Sequence, residues 1–466
     1  MPLMPRTRRR ELRHQAQQAI QEHLALPDAR PFVPGEGIHS ADIADVLWLD
    51  FPPEEARRLF HDMDDALSAA VLEEAEPKLR AILLEGAENQ YIGRLVSLLS
   101  YDDATDLLET LPEEVRLEVM CFLPPEDARE LRHLAEYPPD SAGGLMTTEF
   151  LTAHVYEKVG DVLKKIKRDE GESETVYAAY VVDDKDTLLG VVSTRDLLDA
   201  NIHDDVGNVM IPDVIHARVD EDQEDVAHRL LHYNLSMIPV VDPRGVVVGL
   251  ITADDALEVL EEEGSEDALL LAGASASSDA GEPFHVKVWH RAPMLTIPVF
   301  AGLFIAEVYA YFAEKLGGGE AGTGEGMLGA LVLSFVPMVL AVSGTVGMQT
   351  SAVLVRGFAV GQIIHGRRMP VFMGEMQVGL ALGALCGAVA GPAMGLIMGS
   401  LSAGLVLGLA LGLAVAWAAT ASTCIAMGAE AVGFDPALVS GPVMIAVSDL
   451  SSVVLFLGTA MLIGSA

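Results

Sequence analysis

The feature that most constrains the fold is a long uncharged stretch in the C-terminal part of the chain. No Asp, Glu, Lys or Arg occurs from Met376 to Ala429. A helix of about 20 mainly apolar residues crosses a bilayer, so this stretch is long enough for two such helices and a tight turn. Gly399, Ser400 and Ser402 place the turn near 398–403. A wholly water-soluble fold is therefore excluded.

Nearly uncharged stretches on both sides predict three more membrane helices. The loop between the second and third spans carries Arg356, Arg367 and Arg368, and Lys287 and Arg291 precede the first span. Short cytosolic loops carry an excess of Lys and Arg. We therefore predict a multi-pass protein of the cell membrane, with the N-terminal half in the cytosol and the C-terminus outside. The predicted α-helical membrane domain is 291–466, with spans at about 292–313, 327–355, 376–398, 403–428 and 437–464.

The net charge lies almost entirely outside the membrane domain. The sequence has 68 acidic and 30 basic residues, and residues 1–289 hold 60 of the acids and 25 of the bases. Such an acidic surface excludes nucleic acid as a partner, because phosphate binding depends on Lys and Arg. Acidity of this kind has two open explanations, namely metal binding and adaptation to high salt.

Catalytic motifs are not evident. The three cysteines, Cys121, Cys386 and Cys424, have no paired spacing, which argues against a disulfide framework or a thiolate zinc site. The 13 histidines are scattered, and neither a P-loop nor a nucleophile–His–acid arrangement occurs. We therefore predict that the protein is not an enzyme.

A basic segment and an acidic helical repeat open the chain. Residues 1–35 have an Arg-rich start without an apolar signal sequence, and we expect disorder there. Within 36–137, Leu99, Leu111 and Leu123 recur at a constant interval, and each is soon followed by an acidic pair. Pro-Glu sequences indicate helix starts, because Pro fits the first helical turn and acids there complement the helix dipole. An all-α superhelical domain is predicted.

Residues 138–263 contain an internal repeat. Two strands, a turn and a helix with Asp in its first turn describe a βαββα unit that occurs twice. The pattern resembles a tandem CBS domain of α/β fold, and such pairs usually sense a ligand, often an adenine nucleotide or a metal. The acidic residues 264–290 that follow are predicted to form a linker helix. The matching segments are Tyr180-Val181-Val182-Asp183 with Gly190-Val191-Val192-Ser193 and, at one constant offset, Pro239-Val240-Val241-Asp242 with Gly249-Leu250-Ile251-Thr252.

Asp449 is the most informative residue of the membrane domain. A carboxylate in the middle of a span is costly unless it meets a partner, water or an ion, and no Lys or Arg lies inside any predicted span. A cation is the natural counter-charge, and a protonated structural acid is the alternative. Glu375, at the cytosolic end of span three, fits a pore-mouth or gating role and an interfacial anchor equally well.

The second span is unusually polar for a membrane helix. Pro337 precedes Ser343-Gly344-Thr345-Val346-Gly347-Met348-Gln349-Thr350. Because Pro, Gly and polar side chains make a poor lipid-facing helix, we predict a kinked or broken helix there. Such a helix is tolerated at membrane depth only where it is buried in protein or lines a wet cavity. Freed carbonyls and hydroxyls would supply the oxygen ligands that Mg²⁺ prefers.

Two further motifs carry a family resemblance. They are Tyr137-Pro138-Pro139-Asp140-Ser141-Ala142-Gly143-Gly144-Leu145-Met146 and Gly433-Phe434-Asp435-Pro436-Ala437-Leu438-Val439-Ser440-Gly441-Pro442, the second followed by Ser448-Asp449. The domain order and these motifs resemble the MgtE family of magnesium channels, from about residue 38 onward. The resemblance implies a homodimer with a gated pore between spans two and five, in which Mg²⁺ is both substrate and regulator.

The resemblance also implies residues for each role. We assign Asp449, Gly344, Thr345, Gln349 and Glu375 to the ion pathway. Closure is expected when cytosolic Mg²⁺ bridges acids that repel one another on shared helix faces. The implied sensor acids are Asp102 and Asp106 in the helical domain, Asp222 and Glu224 in the CBS pair, and Asp255, Glu258, Glu263, Glu266 and Asp267 in or near the linker.

The sequence departs from the family pattern at two sites. Span two of the family typically reads Gly-Gly-Asn-x-Gly-x-Gln, whereas Thr345 replaces the amide here, which leaves selectivity among divalent cations open. Nucleotide-binding members stack adenine on aromatic residues where this chain has Ala178 and Leu235, although Arg195 and Asp196 are present. ATP is therefore an alternative ligand that these substitutions disfavour.

Two alternatives to a magnesium channel remain open. One is a related transporter of another divalent cation, such as Co²⁺, Mn²⁺ or Zn²⁺. The other is a membrane-tethered CBS sensor that conducts no ions, which the polar second span disfavours because a mere anchor would not need it. The partners expected in every case are the lipid bilayer, divalent cations and a second copy of the chain.

Overall fold

The chain forms two compact units, Met1–Val259 and Leu260–Ala466. The first holds a helical domain and two α/β repeats, and the second holds the membrane helices. The computed structural model describes residues 6–25, 31–35, 37–168, 177–276, 278, 284–317, 331–360, 362–363 and 368–464.

Short helices build the first domain. Pro53 and Pro77 stand in the first turns of their helices, where a missing N–H costs no hydrogen bond. Apolar residues of every helix in this domain, including Ile43, Leu59 and Leu107, join one buried core. The helices are α1 Arg6–Leu24, α2 Ser40–Asp50, α3 Pro53–His61, α4 Asp65–Glu73, α5 Pro77–Leu84, α6 Asn89–Val96, α7 Tyr101–Glu109, α8 Glu113–Val119 and α9 Asp127–Leu134.

The N-terminal segment differs from the disorder that we expected in 1–35. Helix α1 packs on the helical domain, with Ala16 and Ile20 completely buried in the shared core. A helix with so few apolar residues is stabilised mainly by their burial against the domain and not by intrinsic helix propensity. Arg and Gln residues surround these two apolar positions in the sequence, so the helix was not predicted.

Two βαββα repeats follow, and their strands pair in the same way. In each repeat the first strand is parallel to the second, which is antiparallel to the third. Val181 pairs with Gly190 in the first repeat, and Val240 pairs with Gly249 in the second, so the internal repeat of the sequence is preserved in the register. The elements are α10 Ala142–Leu145, β1 Thr152–His154, α11 Val159–Arg168, β2 Ala178–Val182, β3 Leu188–Ser193, α12 Thr194–Asp199, β4 Ile211–Pro212, β5 Ala217–Arg218, α13 Gln223–His232, β6 Met237–Val241 and β7 Val247–Thr252.

The linker differs from the predicted helix at 264–290. A single helix, α14, runs from Ala253 to Leu271 and passes through Gly264 without a break. Glycine inside a helix costs only about 1 kcal/mol, so it does not end this one. The chain turns at Gly273, whose φ of 75° is typical of a helix C-terminus, and the next helix begins at Phe284.

Five helices within the described residues are long and apolar enough to cross a membrane, which confirms the predicted number. TM1 and TM3 begin about two turns before the predicted spans, because the helices continue beyond the apolar stretch. The predicted start of span two, at 327, lies outside the described residues. The helices are TM1 Phe284–Gly317, TM2 Val336–Ala359, TM3 Arg368–Met398, TM4 Leu401–Val432 and TM5 Pro442–Gly464, with a short helix Pro436–Ser440 before TM5.

Glycines bring TM3 and TM4 into backbone contact. A Cβ atom on Gly412 of TM4 would lie 2.8 Å from the carbonyl oxygen of Gly383 on TM3. A Cβ atom on Gly391 would lie 3.1 Å from the carbonyl oxygen of Gly404. Small residues at such positions let membrane helices approach closely. The glycine repeat of TM3 therefore serves helix packing.

The predicted break does not lie in the polar segment 343–350, although the span Leu331–Ala359 is interrupted by a turn at Phe335, two residues before Pro337. TM2 is a continuous helix from Val336 to Ala359, and Pro337 stands in its first turn, where it displaces no hydrogen bond. Ser343 Oγ donates to the Val339 carbonyl at 2.6 Å, and Thr345 Oγ1 donates to the Ala341 carbonyl at 2.7 Å. Each hydroxyl is hydrogen-bonded to a carbonyl of its own helix, so these polar side chains do not require a break in the backbone.

Candidate functional site

Asp449 of TM5 packs against Gly344 of TM2. A Cβ atom built on Gly344 would lie 3.2 Å from Asp449 Oδ1. This oxygen is shielded from solvent and has no hydrogen-bond partner among the described residues. A carboxylate oxygen without a donor is costly at membrane depth. The arrangement therefore suits an ion or a water molecule as the missing partner.

The other predicted pathway residues lie on exposed surfaces of the single chain. Thr345 and Gln349 are one helical turn apart on TM2, and both are exposed. Glu375 is partly exposed near the start of TM3. Among the described residues, no hydrogen bond or ion pair joins Glu375 to Asp449. The structure thus brings Gly344 and Asp449 together and leaves the assigned roles of the other three as predictions.

Four of the predicted sensor acids meet in the first compact unit. Asp102 and Asp106 share a face of α7, and Asp255 and Glu258 share a face of α14. The charge of Asp255 acts on Asp102, and the charge of Glu258 acts on Asp106. We call these residues and their acidic neighbours the acidic cluster; the neighbours are Glu73, Glu74, Asp103 and Asp254.

Burial and like charges raise the pKa values of these carboxyl groups. Burial, followed by the charges of Asp103 and Asp255, raises the pKa of Asp102 to about 7. Desolvation, followed by the charge of Asp103, raises the pKa of Asp106 to about 6. Asp102 Oδ1 is also buried without a hydrogen-bond partner. Carboxylates in such surroundings are stabilised by a proton or by a cation.

Sequence reasoning missed the neighbours of the acidic cluster and its basic residue. Arg80 is buried and donates to the carbonyl oxygens of Leu72 and Glu73, each at 2.9 Å, and it lies 3.7 Å from Asp103. Arg80 therefore offsets part of the negative charge from a fixed position. In the sequence, the adjacent acidic residues at 102–103 and at 254–255 could have indicated some of these neighbours.

Asp267 lies near the segment that leads into TM5. Desolvation raises its pKa to about 6, and the charges of Asp435, Glu263 and Glu266 add to the effect. Asp435 accepts a hydrogen bond from the backbone N–H of Ala437 at 2.7 Å, which caps the short helix before TM5. Acids from the end of α14 and from the TM5 entry therefore repel one another.

The end of α14 also packs directly on the membrane domain. Leu270 joins a small buried cluster with Val355 of TM2 and Ala437. A Cβ atom on Gly441 would lie 2.7 Å from the Leu270 carbonyl oxygen, and one on Gly273 would lie 2.8 Å from Pro442 Cγ. Movement of α14 would therefore act on both TM2 and TM5.

Asp222 and Glu224 lie at the start of α13 and have local partners. Asp222 caps the helix and accepts a hydrogen bond from the Glu224 N–H at 2.9 Å. Glu224 lies 3.6 Å from His228 Nε2. Their part in metal sensing stays a prediction.

Arg195 and Asp196 begin α12. Ser193 Oγ donates to Asp196 Oδ2 at 2.6 Å and accepts from the Asp196 N–H, while Arg195 is exposed. Ala178, at the start of β2, offers no aromatic surface for a base. Asp196 thus takes part in capping α12, and the nucleotide-binding role of Arg195 and Asp196 stays a prediction.

No preformed metal cage is present in the described part of the chain: three or more His, Cys, Asp or Glu side chains do not converge there in a way that could hold an ion. Mg²⁺ dehydrates reluctantly and commonly keeps several waters while taking one or two carboxylates. Acids spread over facing helices therefore fit a hydrated ion.

Family models match three parts of the chain. The MgtE intracellular N domain matches 38–140, the CBS domain matches 142–203 and 206–262, and the divalent cation transporter model named MgtE matches 336–459. These matches confirm the predicted order of a helical domain, a CBS pair and a membrane domain.

Three curated relatives align with most of the chain, and each of the three is named magnesium transporter MgtE. The relative from Thermus thermophilus is 32% identical over 92% of this chain and 94% of its own length. The relative from Enterococcus faecalis is 29% identical over 72% of each chain. The relative from Bacillus subtilis is 26% identical over 84% of this chain and 92% of its own length.

Two solved structures are similar to about half of the chain. The crystal structure of the cytosolic domain of the Mg²⁺ channel MgtE in complex with ATP is 32% identical, covers 53% of this chain and 99% of its own, and has a TM-score of 0.48. The crystal structure of the soluble part of a magnesium transporter is 24% identical over 55% of this chain and 99% of its own, with a TM-score of 0.47.

Proposed function

Since the chain belongs to the MgtE family of magnesium transporters, we propose that it is a gated magnesium channel whose pore runs between TM2 and TM5 of a homodimer. The protein is a multi-pass membrane protein with a cytosolic N-terminal domain, and it is not an enzyme. In the proposal, Mg²⁺ passes Asp449, and cytosolic Mg²⁺ closes the pore by binding the acidic cluster. The C-terminus lies outside the cell.

The observation that carries the pore assignment is the unpartnered Oδ1 of Asp449 beside Gly344. A carboxylate at membrane depth needs a counter-charge or water, and a conducted cation supplies both, because Mg²⁺ brings its own hydration shell. Because Gly344 has no side chain, the backbone of TM2 can lie close to that ion. Rings of carboxylates select cations in channels by this same attraction.

The exposed polar face of TM2 supports the homodimer. Thr345, Met348 and Gln349 are exposed in the single chain, although they lie in the middle of a membrane helix. Lipid cannot satisfy the amide of Gln349, whereas a second copy related by two-fold symmetry would enclose this face around an aqueous path. The same symmetry would bring two copies of Asp449 to one pathway.

Flux measurements with Asp449 variants test the pore. The full chain is reconstituted into liposomes that contain a magnesium indicator, and Mg²⁺ uptake is followed. We expect Asp449→Ala to abolish uptake and Asp449→Asn to reduce it strongly, because the negative charge is lost in both. Ser451→Ala, on the same helix, removes a hydroxyl that bonds its own backbone and should conduct normally. Undiminished uptake by Asp449→Ala would show that the pore lies elsewhere.

The acidic cluster supplies the closing mechanism. Asp102 and Asp106 of α7 repel Asp255 and Glu258 of α14 when metal is absent, and Mg²⁺ would replace that repulsion by attraction. Metal binding would therefore hold the helical domain against α14. Because the far end of α14 contacts TM2 and the TM5 entry, its position would set the state of the pore.

Limited proteolysis of the purified full chain tests the closing mechanism. We expect cleavage between the helical domain and the CBS pair to slow as Mg²⁺ rises from zero to tens of millimolar. A triple variant, Asp102→Ala with Asp106→Ala and Asp255→Ala, should lose most of this Mg²⁺ dependence. Cleavage that is independent of Mg²⁺ in the unmodified protein would exclude the sensor.

Thr345 keeps transport of another divalent cation as a second candidate function. A hydroxyl oxygen can accept a hydrogen bond from a water of the hydrated ion, but it lies closer to its own backbone than the carbonyl oxygen of an asparagine would. Competition of Co²⁺ and Mn²⁺ with Mg²⁺ uptake, in the unmodified protein and in Thr345→Asn, distinguishes the two. Stronger competition in the unmodified protein would assign a broader substrate range.

A further inference from the structure

Gly347 lies one turn from Gly344 on TM2 at a contact between three helices. A Cβ atom built on Gly347 would lie 2.9 Å from Ser422 Oγ of TM4, 3.0 Å from Met444 Sδ of TM5 and 3.3 Å from Ser448 Oγ of TM5. Real Cβ atoms essentially never come within 3.0 Å of another heavy atom. Even the smallest side chain at this position would therefore force its neighbours or the helix to move.

The nearest neighbour has little freedom to move. Ser422 is completely buried, and its hydroxyl donates to the Ala418 carbonyl of its own helix at 2.8 Å. Ser448 is also completely buried, and its hydroxyl has no hydrogen-bond partner among the described residues. Only Met444 presents the flexible end of a long side chain. A methyl group on residue 347 would thus push TM2 away from Ser422 of TM4 and Ser448 of TM5.

This contact lies next to the ion pathway on both helices. Ser448 directly precedes Asp449 on TM5, and Gly344 and Gly347 are three residues apart on TM2, which places them on neighbouring positions of one helix face. Gly344 faces Asp449 while Gly347 faces Ser448. A displacement of TM2 at Gly347 would therefore widen the gap between TM2 and Asp449.

We propose that Gly347, packed against Ser422 and Ser448, is a positioning residue that sets the distance from TM2 to Asp449 and thereby the selectivity among divalent cations. The inference rests on the proposed pore at Asp449. Divalent ions differ in size and in the ease with which they shed water, so a fixed gap favours one hydrated ion over another. A wider gap would discriminate less.

The test compares Mn²⁺ and Mg²⁺ uptake by the full chain in liposomes. We expect Gly347→Ala to raise the Mn²⁺ to Mg²⁺ uptake ratio by about threefold or more, which corresponds to about 0.6 kcal/mol in relative barrier height. Adding Ser422→Ala removes the nearest atom and should restore the original ratio. Gly458→Ala is the matched control, because no atom lies within 4 Å of a Cβ atom there on TM5.

The outcomes separate this inference from the pore assignment. An unchanged ratio in Gly347→Ala, or a change that Ser422→Ala fails to reverse, would overturn the positioning role while Asp449→Ala still abolishes uptake. If Asp449→Ala conducts, the pore assignment itself fails. Should Gly347→Ala not fold, Ser448→Thr adds a methyl group from the TM5 side of the same contact. It should raise the ratio in the same direction, and an unchanged ratio would equally overturn the proposal.

Discussion

Replacement of Asp102 by Asn should stabilise the metal-free contact between α7 and the start of α14, and the gain should grow with pH. In this contact the pKa of Asp102 is raised to about 7 by burial and by neighbouring acids. An exposed Asp has a pKa of about 3.9. Asparagine keeps the shape of the side chain and carries no charge at any pH.

The sign and size follow from proton linkage. Below about pH 4 the carboxyl group is protonated in both the joined and the separated state, so the contact keeps its full stability. As the pH rises to 7, the separated state gains stability by ionising while the contact resists ionisation, and stability is lost. Three pKa units correspond to about 4 kcal/mol. Because Asp102 is only partly buried, solvent screening reduces the measurable effect to about 1–2 kcal/mol.

Hydrogen exchange of α7 in the full chain, with chelator present, measures this effect. After correction for intrinsic exchange, protection in the unmodified protein should fall from pH 4 to pH 8 by about 5–30-fold more than in Asp102→Asn, which keeps only the pH dependence that Asp106 and Asp255 contribute. Mg²⁺ at pH 8 should restore protection in the unmodified protein. Glu113→Gln, an exposed change outside the acidic cluster, should behave as the unmodified protein does. Equal pH dependence in Asp102→Asn and the unmodified protein would refute the reasoning.

Three further predictions concern the CBS pair and the membrane domain. Ala178→Tyr introduces an aromatic surface in β2. The variant should bind a fluorescent ATP analogue roughly 2–10-fold more tightly than the unmodified chain does, since an aromatic contact contributes about 0.5–1.5 kcal/mol. Gly383→Ala places a methyl group against the backbone of TM4, at a cost of about 1–3 kcal/mol, and should lower the melting temperature in detergent. Gly374→Ala should not lower it, because no atom lies within 4 Å of a Cβ atom there. Arg368→Gln breaks the ion pair with Glu430 and should also lower the melting temperature. Adding Glu430→Gln should recover part of the loss, because it removes the partly buried carboxylate that the first change leaves unpaired.

The repeats and the membrane helices were predictable from the sequence because local patterns encode them. The constant offset between the two repeats reappears as the matching registers of Val181 with Gly190 and of Val240 with Gly249. The uncharged stretches likewise became helices of spanning length. In both cases the pattern can be read along the chain without knowledge of which distant segments pack together.

Features that depend on contacts between distant segments were not predictable. The sequence does not show that Glu73 and Glu74, at the end of α4, face the same cluster as Asp254 of α14, which lies near the end of the CBS pair. The polar segment of TM2 stays helical because the hydroxyl of Ser343 bonds a carbonyl in the preceding turn. Asp449 was identifiable because charge at membrane depth is rare, whereas the neighbours of Gly347 could be known only from the folded chain.

Ion currents in membrane patches test the central claim most directly. Excised patches containing the full chain would carry Mg²⁺ current while the face bearing the cytosolic domains is perfused with Mg²⁺ from zero to tens of millimolar. The account predicts a current that falls reversibly as Mg²⁺ rises on that face and that is absent in Asp449→Ala. A current that is independent of Mg²⁺ on that face, or that persists in Asp449→Ala, would contradict it.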